Sequence, residues 1–246
     1  MFLYLLMSLL MKDLFVKKYI LLLLLCTAAV TAKAQLGHDY AQYDLGIGLD
    51  INKAYTDAQT VTPSRSVHLN FNYNVSPYVN YVVELQWGEL KGGDSLTTST
   101  GREFINSYAT FMFRGQLQAG EVIDYSQSKI ANALKNLYVS GGIGYIINHI
   151  SSINRYSHKV PGFYTDGETN STELLIPVRL GYEFKLFNSY SQPGFKIDLG
   201  YQYNFVLGDS LDGFTVGNQK DSYSQYSIGI KFAIGGLSSY RKHIAF

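Results

Sequence analysis

The chain has 246 residues and a net charge of +1, from 20 basic and 19 acidic residues. With no basic cluster, that balance argues against a nucleic-acid partner, and the one cysteine, Cys26, provides neither a disulfide framework nor thiol chemistry. The 21 tyrosines, 14 phenylalanines and 23 glycines against 5 prolines suit an exported all-β chain, but a soluble secreted sandwich shares that composition, so the pattern along the chain must decide.

Residues 1–34 read as a signal peptide whose true start is Met11. Lys12, Lys17 and Lys18 form a basic n-region, residues 20–25 open the apolar h-region, and Ala32-Lys33-Ala34 gives an A-x-A cleavage site before Gln35. The apolar run 19–32 is shorter than the ~20 residues of a spanning helix. Leu25 stands before Cys26 where a lipoprotein site has a small residue. The rest, 35–246, reads as one barrel domain with 16 basic and 18 acidic residues. It contains no later run of about 18 apolar residues that would make a membrane helix.

Eight segments with a period of two follow, at 43–51, 66–75, 79–88, 104–115, 137–149, 172–186, 195–207 and 222–234. Alternation places one residue class on each face of a strand. The clearest is 195–207, where Phe195, Ile197, Leu199, Tyr201, Tyr203, Phe205 and Leu207 oppose Lys196, Asp198, Gly200, Gln202 and Asn204; only Val206 breaks the rule. The run 104–115 has the weakest period. Gly141, Gly142 and Gly144 mark places where the barrel bends or crowds, since no G-x-G-x-x-G or Walker lysine accompanies them. Pro177 cannot donate to a ladder and predicts a bulge or local break. Between 125 and 137, Ile130, Ala131, Leu134 and Leu137 recur at helical spacing and predict one short amphipathic helix at the barrel rim. The tail 235–246 is short and basic.

Strands of this length suit a tilted bilayer crossing, which needs ~9–11 residues. Connections after strands one, three, five and seven are long and polar, those after two and six are short, and the fourth holds the helix. Outer-membrane barrels show that asymmetry, with short periplasmic turns and an even strand count. Tyr40, Tyr43, Tyr73, Tyr78, Tyr182, Phe184, Phe187, Phe195 and Phe232 gather at the expected periplasmic ends, where an aromatic girdle belongs. The expected fold is an eight-stranded antiparallel transmembrane β-barrel with one periplasmic-side helix.

The A-K-A-Q signal end and the segments N-L-Y-V-S-G-G-I-G-Y (136–145), L-L-I-P-V-R-L-G-Y-E-F (174–184) and Y-S-I-G-I-K-F (226–232) resemble the small outer-membrane β-barrel proteins common in Bacteroidota, of the OmpA/OmpX-like type. The resemblance covers essentially the whole chain after residue 34. It implies an outer-membrane location with both termini periplasmic. About a dozen residues follow Ile234, whereas such barrels often end on the aromatic of the last strand; here Phe246 is C-terminal.

Inward positions Glu84, Arg179, Glu183, Lys185, Lys196, Asp198 and Lys231 carry both signs. Side chains just fill an eight-stranded barrel, and buried charges need partners, so these residues read as an ion-paired plug; a polar path for small solutes is the competing reading. His149-Ile150-Ser151 has the His-x-Ser order of the outward pair in lipid A deacylases, with Glu168 or Glu173 as the acid and His149 taking the serine proton. The blander reading, a rim histidine entering a polar loop, is preferred. His68, His149, His158 and His243 are scattered, so neither a metal nor a cofactor is expected. The expected function is non-enzymatic: a structural or interaction role in the cell envelope, accessory to an envelope or secretion assembly. A narrow porin-like channel is the second reading and a lipid A-modifying hydrolase the third. Outer-membrane lipid, lipopolysaccharide and an envelope protein are the expected partners. The Tyr-, Asn- and Ser-rich loops (Asn154, Tyr156, Tyr164, Asn170) suit protein or glycan contacts.

Overall fold

The structure is a computed structural model that describes residues 37–241 apart from 59, 97, 99, 127, 158–159, 189–192 and 215–219. The expected signal peptide, His158, His243 and Phe246 lie outside the described residues. The elements in chain order are β1 (Gly37–Tyr55), β2 (Val61–Thr62), β3 (Ser64–Asn74), β4 (Val79–Gly93), β5 (Glu103–Gln118), α1 (Ala119–Val122), α2 (Lys129–Leu134), β6 (Leu137–Asn154), β7 (Asn170–Phe187), β8 (Pro193–Val206) and β9 (Ser222–Arg241).

All ladders are antiparallel, and they run β1–β3–β4–β5–β6–β7–β8–β9 and back to β1. Eight long strands therefore close into a barrel, which removes the exposed edges of an open sheet. The two-residue β2 pairs only with the end of β4, at Val61↔Gly92 and Thr62↔Lys91. One end of the barrel carries both ends of the described chain and the connections after β3, β5 and β7; the other carries the long loops.

The expected strands are all present, most of them longer than their alternating cores. The largest difference is the tail. β9 runs on to Arg241, which pairs with Gly37. The continuation crosses a bulge, because the register shifts between Ala41 and Tyr43 opposite Gly235-Gly236, and Gly235 has φ +80°. Glycine takes that left-handed backbone cheaply, and the extra residue ends the alternation on which strand prediction relies. Pro177 gives a local break, as expected. The β6–β7 register is unchanged on both sides of it, but pairing skips from Gly141↔Val178 to Gly144↔Leu175.

The expected helix is present as α2, shorter than its pattern because Leu137 already opens β6, and a further helical turn, α1, precedes the segment. In α2 the Ser128 Oγ caps the start by accepting from the Ala131 N–H at 3.3 Å. Its apolar stripe faces away from the barrel, with Ile130 74% and Leu134 47% exposed, while Asn132 is buried. Helical spacing identified the stripe correctly, but spacing alone does not say which side of the stripe the protein covers.

Outward positions are apolar almost throughout: Leu45, Ile47, Leu49 and Ile51 on β1, Val67 to Tyr73 on β3, and Tyr226 to Ile234 on β9 are all exposed. A belt of that extent is far larger than the apolar patches a water-soluble monomer exposes. The shortest long strand, β3, has 11 residues. At ~3.3 Å per residue and a tilt near 45°, that spans about 25 Å, the height of the apolar band of a transmembrane barrel. Aromatic pairs lie at both rims. Tyr43–Phe71 at 5.6 Å and Tyr182–Phe184 at 4.6 Å mark the termini end. Tyr201–Tyr226 at 4.9 Å and Tyr55–Tyr203 at 6.2 Å lie toward the loop end. The sequence reading had placed a girdle only at the first.

Candidate functional site: the filled interior

The inward face is built in layers. Nearest the termini, Lys196 pairs with Asp44 at 2.5 Å, and Asn74 Nδ2 donates to the same Asp44 oxygen at 2.9 Å. Next, Lys231 reaches Glu183 and Asp198, each at 2.6 Å. Arg179 meets Asp198 at 2.5 Å and donates through Nε to the Tyr138 hydroxyl at 2.7 Å, which itself donates to Asp198 at 2.9 Å. Gln118 and Gln116 donate to the two Glu183 oxygens at 2.6 and 3.1 Å. Arg114 pairs with Glu84 at 2.5 Å and donates to Ser140 Oγ at 3.1 Å. All these charged groups are buried. Burial of charge costs several kcal/mol per ion unless the partners are close and well bonded; here every one of these ions has a counter-ion, and Asp44, Arg114, Arg179, Glu183 and Asp198 also have a neutral donor or acceptor.

A mid-barrel layer follows. His68 Nδ1 lies 2.9 Å from Asp50, which also accepts from Ser66 and Gln86 at 3.2 Å, and Asn52 donates to the Tyr108 hydroxyl at 3.0 Å. Above it the interior becomes mostly apolar, with Asn106 and Asn148 bonded to each other as buried polar exceptions. Ala54, Leu90, Phe104, Tyr108, Met112, Ile146, Leu175, Val206 and Tyr223 form an apolar cluster, joined by Ala58, Leu211 and Phe214 from the long loops. The segment 207–214 enters the barrel mouth: Leu211 and Phe214 are fully buried, and Arg102 and Arg155 lie over the Phe214 ring at 5.6 and 6.0 Å. The Asn106 side chain holds the loop by donating to the Leu211 carbonyl at 2.7 Å.

At the termini end, Tyr78 packs on Tyr125 at 5.8 Å and Tyr240 at 5.9 Å, beneath the α1–α2 connection. A cavity of about 20 Å³ remains beside it, lined by Asp39, Asn74, Lys185 and Lys196 among others. That is room for about one water.

Of the residues expected inside, Glu84, Arg179, Glu183, Lys196, Asp198 and Lys231 fall in the ionic layers. Lys185 does not. It donates to the Pro77 carbonyl at 2.5 Å and to Gln118 Oε1 at 2.6 Å, and lies over the Tyr78 ring. Sequence reasoning missed Arg114, Asp44, Asp50, His68 and Tyr138 as members of the network. All have inward parity, so the signal was present for the two aspartates and the histidine. Arg114 was hidden by the weak period of its strand.

His149 and Ser151 share the outward face near the loop rim, as expected. His149 Nδ1 contacts Asn170 at 2.7 Å, whereas Ser151 donates to the Ile105 carbonyl at 3.1 Å. Glu173 instead accepts from the Ser210 N–H at 3.0 Å. Among the described residues, no group of three or more His, Cys, Asp or Glu side chains is arranged to hold a metal ion.

A closed ring of eight long antiparallel strands, an apolar belt outside and a packed, charged interior together define a small transmembrane β-barrel protein. No family model matches the chain, and no curated protein matches it. It is similar in structure to neisserial surface protein A, with 13% identity, a TM-score of 0.47, and coverage of 79% of this chain and 98% of that one. The attachment invasion locus protein Ail of Yersinia pestis is similar at 11% identity and a TM-score of 0.43, over 82% of this chain and 99% of that one. The outer membrane protein OprG of Pseudomonas aeruginosa is similar at 13% identity and a TM-score of 0.38, over 85% and 100%.

Proposed function

We propose that the protein is an outer-membrane barrel with a structural or interaction role in the envelope, accessory to an envelope or secretion assembly. Its termini lie on the periplasmic side and its long loops face outward. The observation that carries this reading is the mutual pairing of the interior groups: Lys231 with Glu183 and Asp198, Arg179 with Asp198, Arg114 with Glu84, and Lys196 with Asp44. An interior spent on its own ion pairs leaves the belt and the loops as the surfaces that act. The orientation is supported by short turns at the termini end against long loops at the other. Outer-membrane lipid and lipopolysaccharide then surround the belt, and an envelope protein is the partner.

Pull-down from native envelope tests the role directly. A stoichiometric protein partner is the expected result, and recovery of the barrel alone counts against an assembly function. Planar-bilayer recordings of the purified protein separate this reading from a narrow channel: a flat baseline is expected, and reproducible current steps would replace the plug with a pore. For the hydrolase reading, lipid A acylation is expected to be the same with the native protein and with His149→Ala.

A further inference from the structure

Residues 207–214 and Asp221, on the two described arms of the connection after β8, are fastened in the barrel mouth by groups that cannot all be charged. The descending arm, residues 208–214, turns at Gly213 with φ +75° and places Leu211, Asp212 and Phe214 at 1% exposure or less. The returning arm brings in Asp221, 3% exposed. Asp221 Oδ2 accepts from the Leu211 N–H at 2.9 Å, tying the two arms together. Asp212 Oδ1 accepts from the Phe214 N–H at 2.9 Å, but its Oδ2 is buried without a partner.

A buried carboxylate oxygen with no donor is costly, whereas a carboxylic acid at the same place is far cheaper. The neighbours make charge harder to carry. Asp209 on the same loop, Asp57 beyond β1 and Glu173 on β7 all add negative charge around the pair. None of the nearby cations forms an ion pair with Asp212 or Asp221 among the described residues. Arg102 donates to the Asp57 carbonyl and Thr165, Arg155 lies over Phe214, and Lys220 donates to the Leu207 carbonyl at 2.8 Å.

We propose that the arm 207–214 is a proton-held latch, seated in the barrel mouth while the Asp212 and Asp221 carboxyls carry protons and released from it when both are charged. Burial, offset in part by the Phe214 N–H and the Thr56 side chain and reinforced by the charges of Asp57 and Asp209, pushes Asp212 up to about 6. Burial and then the Asp212 charge push Asp221 up to about 8. Both groups lie in the loop, outside the membrane-spanning strands. The released loop would return them to ordinary carboxylate behaviour near 3.8. The seated state therefore binds more protons, so seating is favoured at low pH and weakens as pH rises from about 4. Between pH 6 and 8 one proton is lost on release, so the opening constant rises about tenfold per pH unit, and it levels off above about 8.

Trypsin cleavage after Lys220 in the folded, detergent-solubilised barrel reads the released state. Its rate is divided at each pH by that of a free peptide spanning 214–226, which removes the enzyme's own pH response. The expected ratio rises at least tenfold from pH 6 to 8.5 in the native chain and stays low and flat in the Asp212→Asn/Asp221→Asn variant, which keeps neutral groups of the same shape. Asp221→Asn alone should lose most of the rise. A flat native ratio overturns the latch, as does an undiminished rise in the double variant. Restored protection on adding calcium at pH 8.5 would also overturn it, by showing that a cation rather than a proton closes the site.

Discussion

Glu183 on β7 and Asp198 on β8 are direct cross-strand partners, and a single ammonium, that of Lys231 on β9, holds both at 2.6 Å. Like charges placed opposite each other destabilise a sheet, and β8 repeats the problem with Lys196, which faces Lys185 on one side and Lys231 on the other. Strand pairing alone would disfavour this register. It survives because Glu183, Asp198, Lys196 and Lys231 each reach past the immediate neighbour to an opposite charge, while Lys185 turns to the Pro77 carbonyl and the Gln118 amide oxygen. Removing Lys231 should therefore cost more than one ion pair. Lys231→Met leaves Glu183 with only Gln116 and Gln118 as donors, and should lower stability by about 3–5 kcal/mol, the usual cost of orphaning a buried charge. Adding Glu183→Gln should recover more than half of that, because Asp198 keeps Arg179 at 2.5 Å. Urea unfolding in lipid vesicles, followed by the fast-migrating folded band on unheated gels, measures both. A double variant no more stable than the single one would mean that Glu183 is not the stranded charge.

The ionic layers and the apolar cluster are stacked along the barrel, so conductance should need both to be breached. Arg114→Ser with Glu84→Ser opens only the polar layer, and recordings should stay at baseline. Adding Phe104→Ala, Met112→Ala and Phe214→Ala removes three large members of the cluster above it, and current steps should then appear. Steps from the first pair alone would show that the apolar layer does not seal.

Period-two alternation made the strands legible because lipid and interior impose opposite demands on adjacent residues. Where the interior is itself apolar, that contrast vanishes. On β5 the inward residues Phe104, Tyr108 and Met112 are as hydrophobic as the outward Phe111 and Phe113, which is why this strand had the weakest pattern and why Arg114 was overlooked on it. The same cause explains Val206, the exception in the clearest strand: it is 2% exposed and belongs to the cluster. The partners of the charges were not legible, because they lie across the barrel or diagonally between strands, as Arg179 pairs with Asp198 while its ladder partner is Gln202. The seating of residues 207–214 left no mark in the periodicity either.

Gly142 on β6, inward and opposite Arg114, and Gly115 on β5, outward and opposite Gly141, should behave oppositely. A Cβ on Gly142 would collide with the Phe113 carbonyl and the Arg114 Cα, both backbone. Gly115, cross-strand to Gly141, has nothing within 4 Å of the place its Cβ would take. Gly142→Ala should thus push β5 and β6 apart and cost about 1–3 kcal/mol, while Gly115→Ala should stay within about 0.5 kcal/mol of the native chain. Unfolding midpoints of the two variants in the same vesicles decide it. Equal effects would mean that the inward glycine is not kept by crowding.

Val206 gives the sharpest contrast between pattern and structure. Replacing it with asparagine completes the alternation of 195–207, so a reading by periodicity alone expects a neutral or improved strand. The structure expects the reverse. Position 206 is packed with Leu175 and Phe214 in the apolar cluster, and its cross-strand partner is Leu175 on β7. An asparagine amide there has apolar side chains around it, and burying it without a hydrogen-bond partner should cost about 1–3 kcal/mol. Val206→Ile, which keeps the apolar character, should stay within about 1.5 kcal/mol. Because the cluster also seats Leu211 and Phe214, Val206→Asn should in addition raise trypsin cleavage after Lys220 at pH 6, where the latch is expected to protect the native chain. An asparagine variant as stable and as protected as the native chain would show that the layer above the ion pairs tolerates polarity, and that its apolar character is not what closes the barrel at that end.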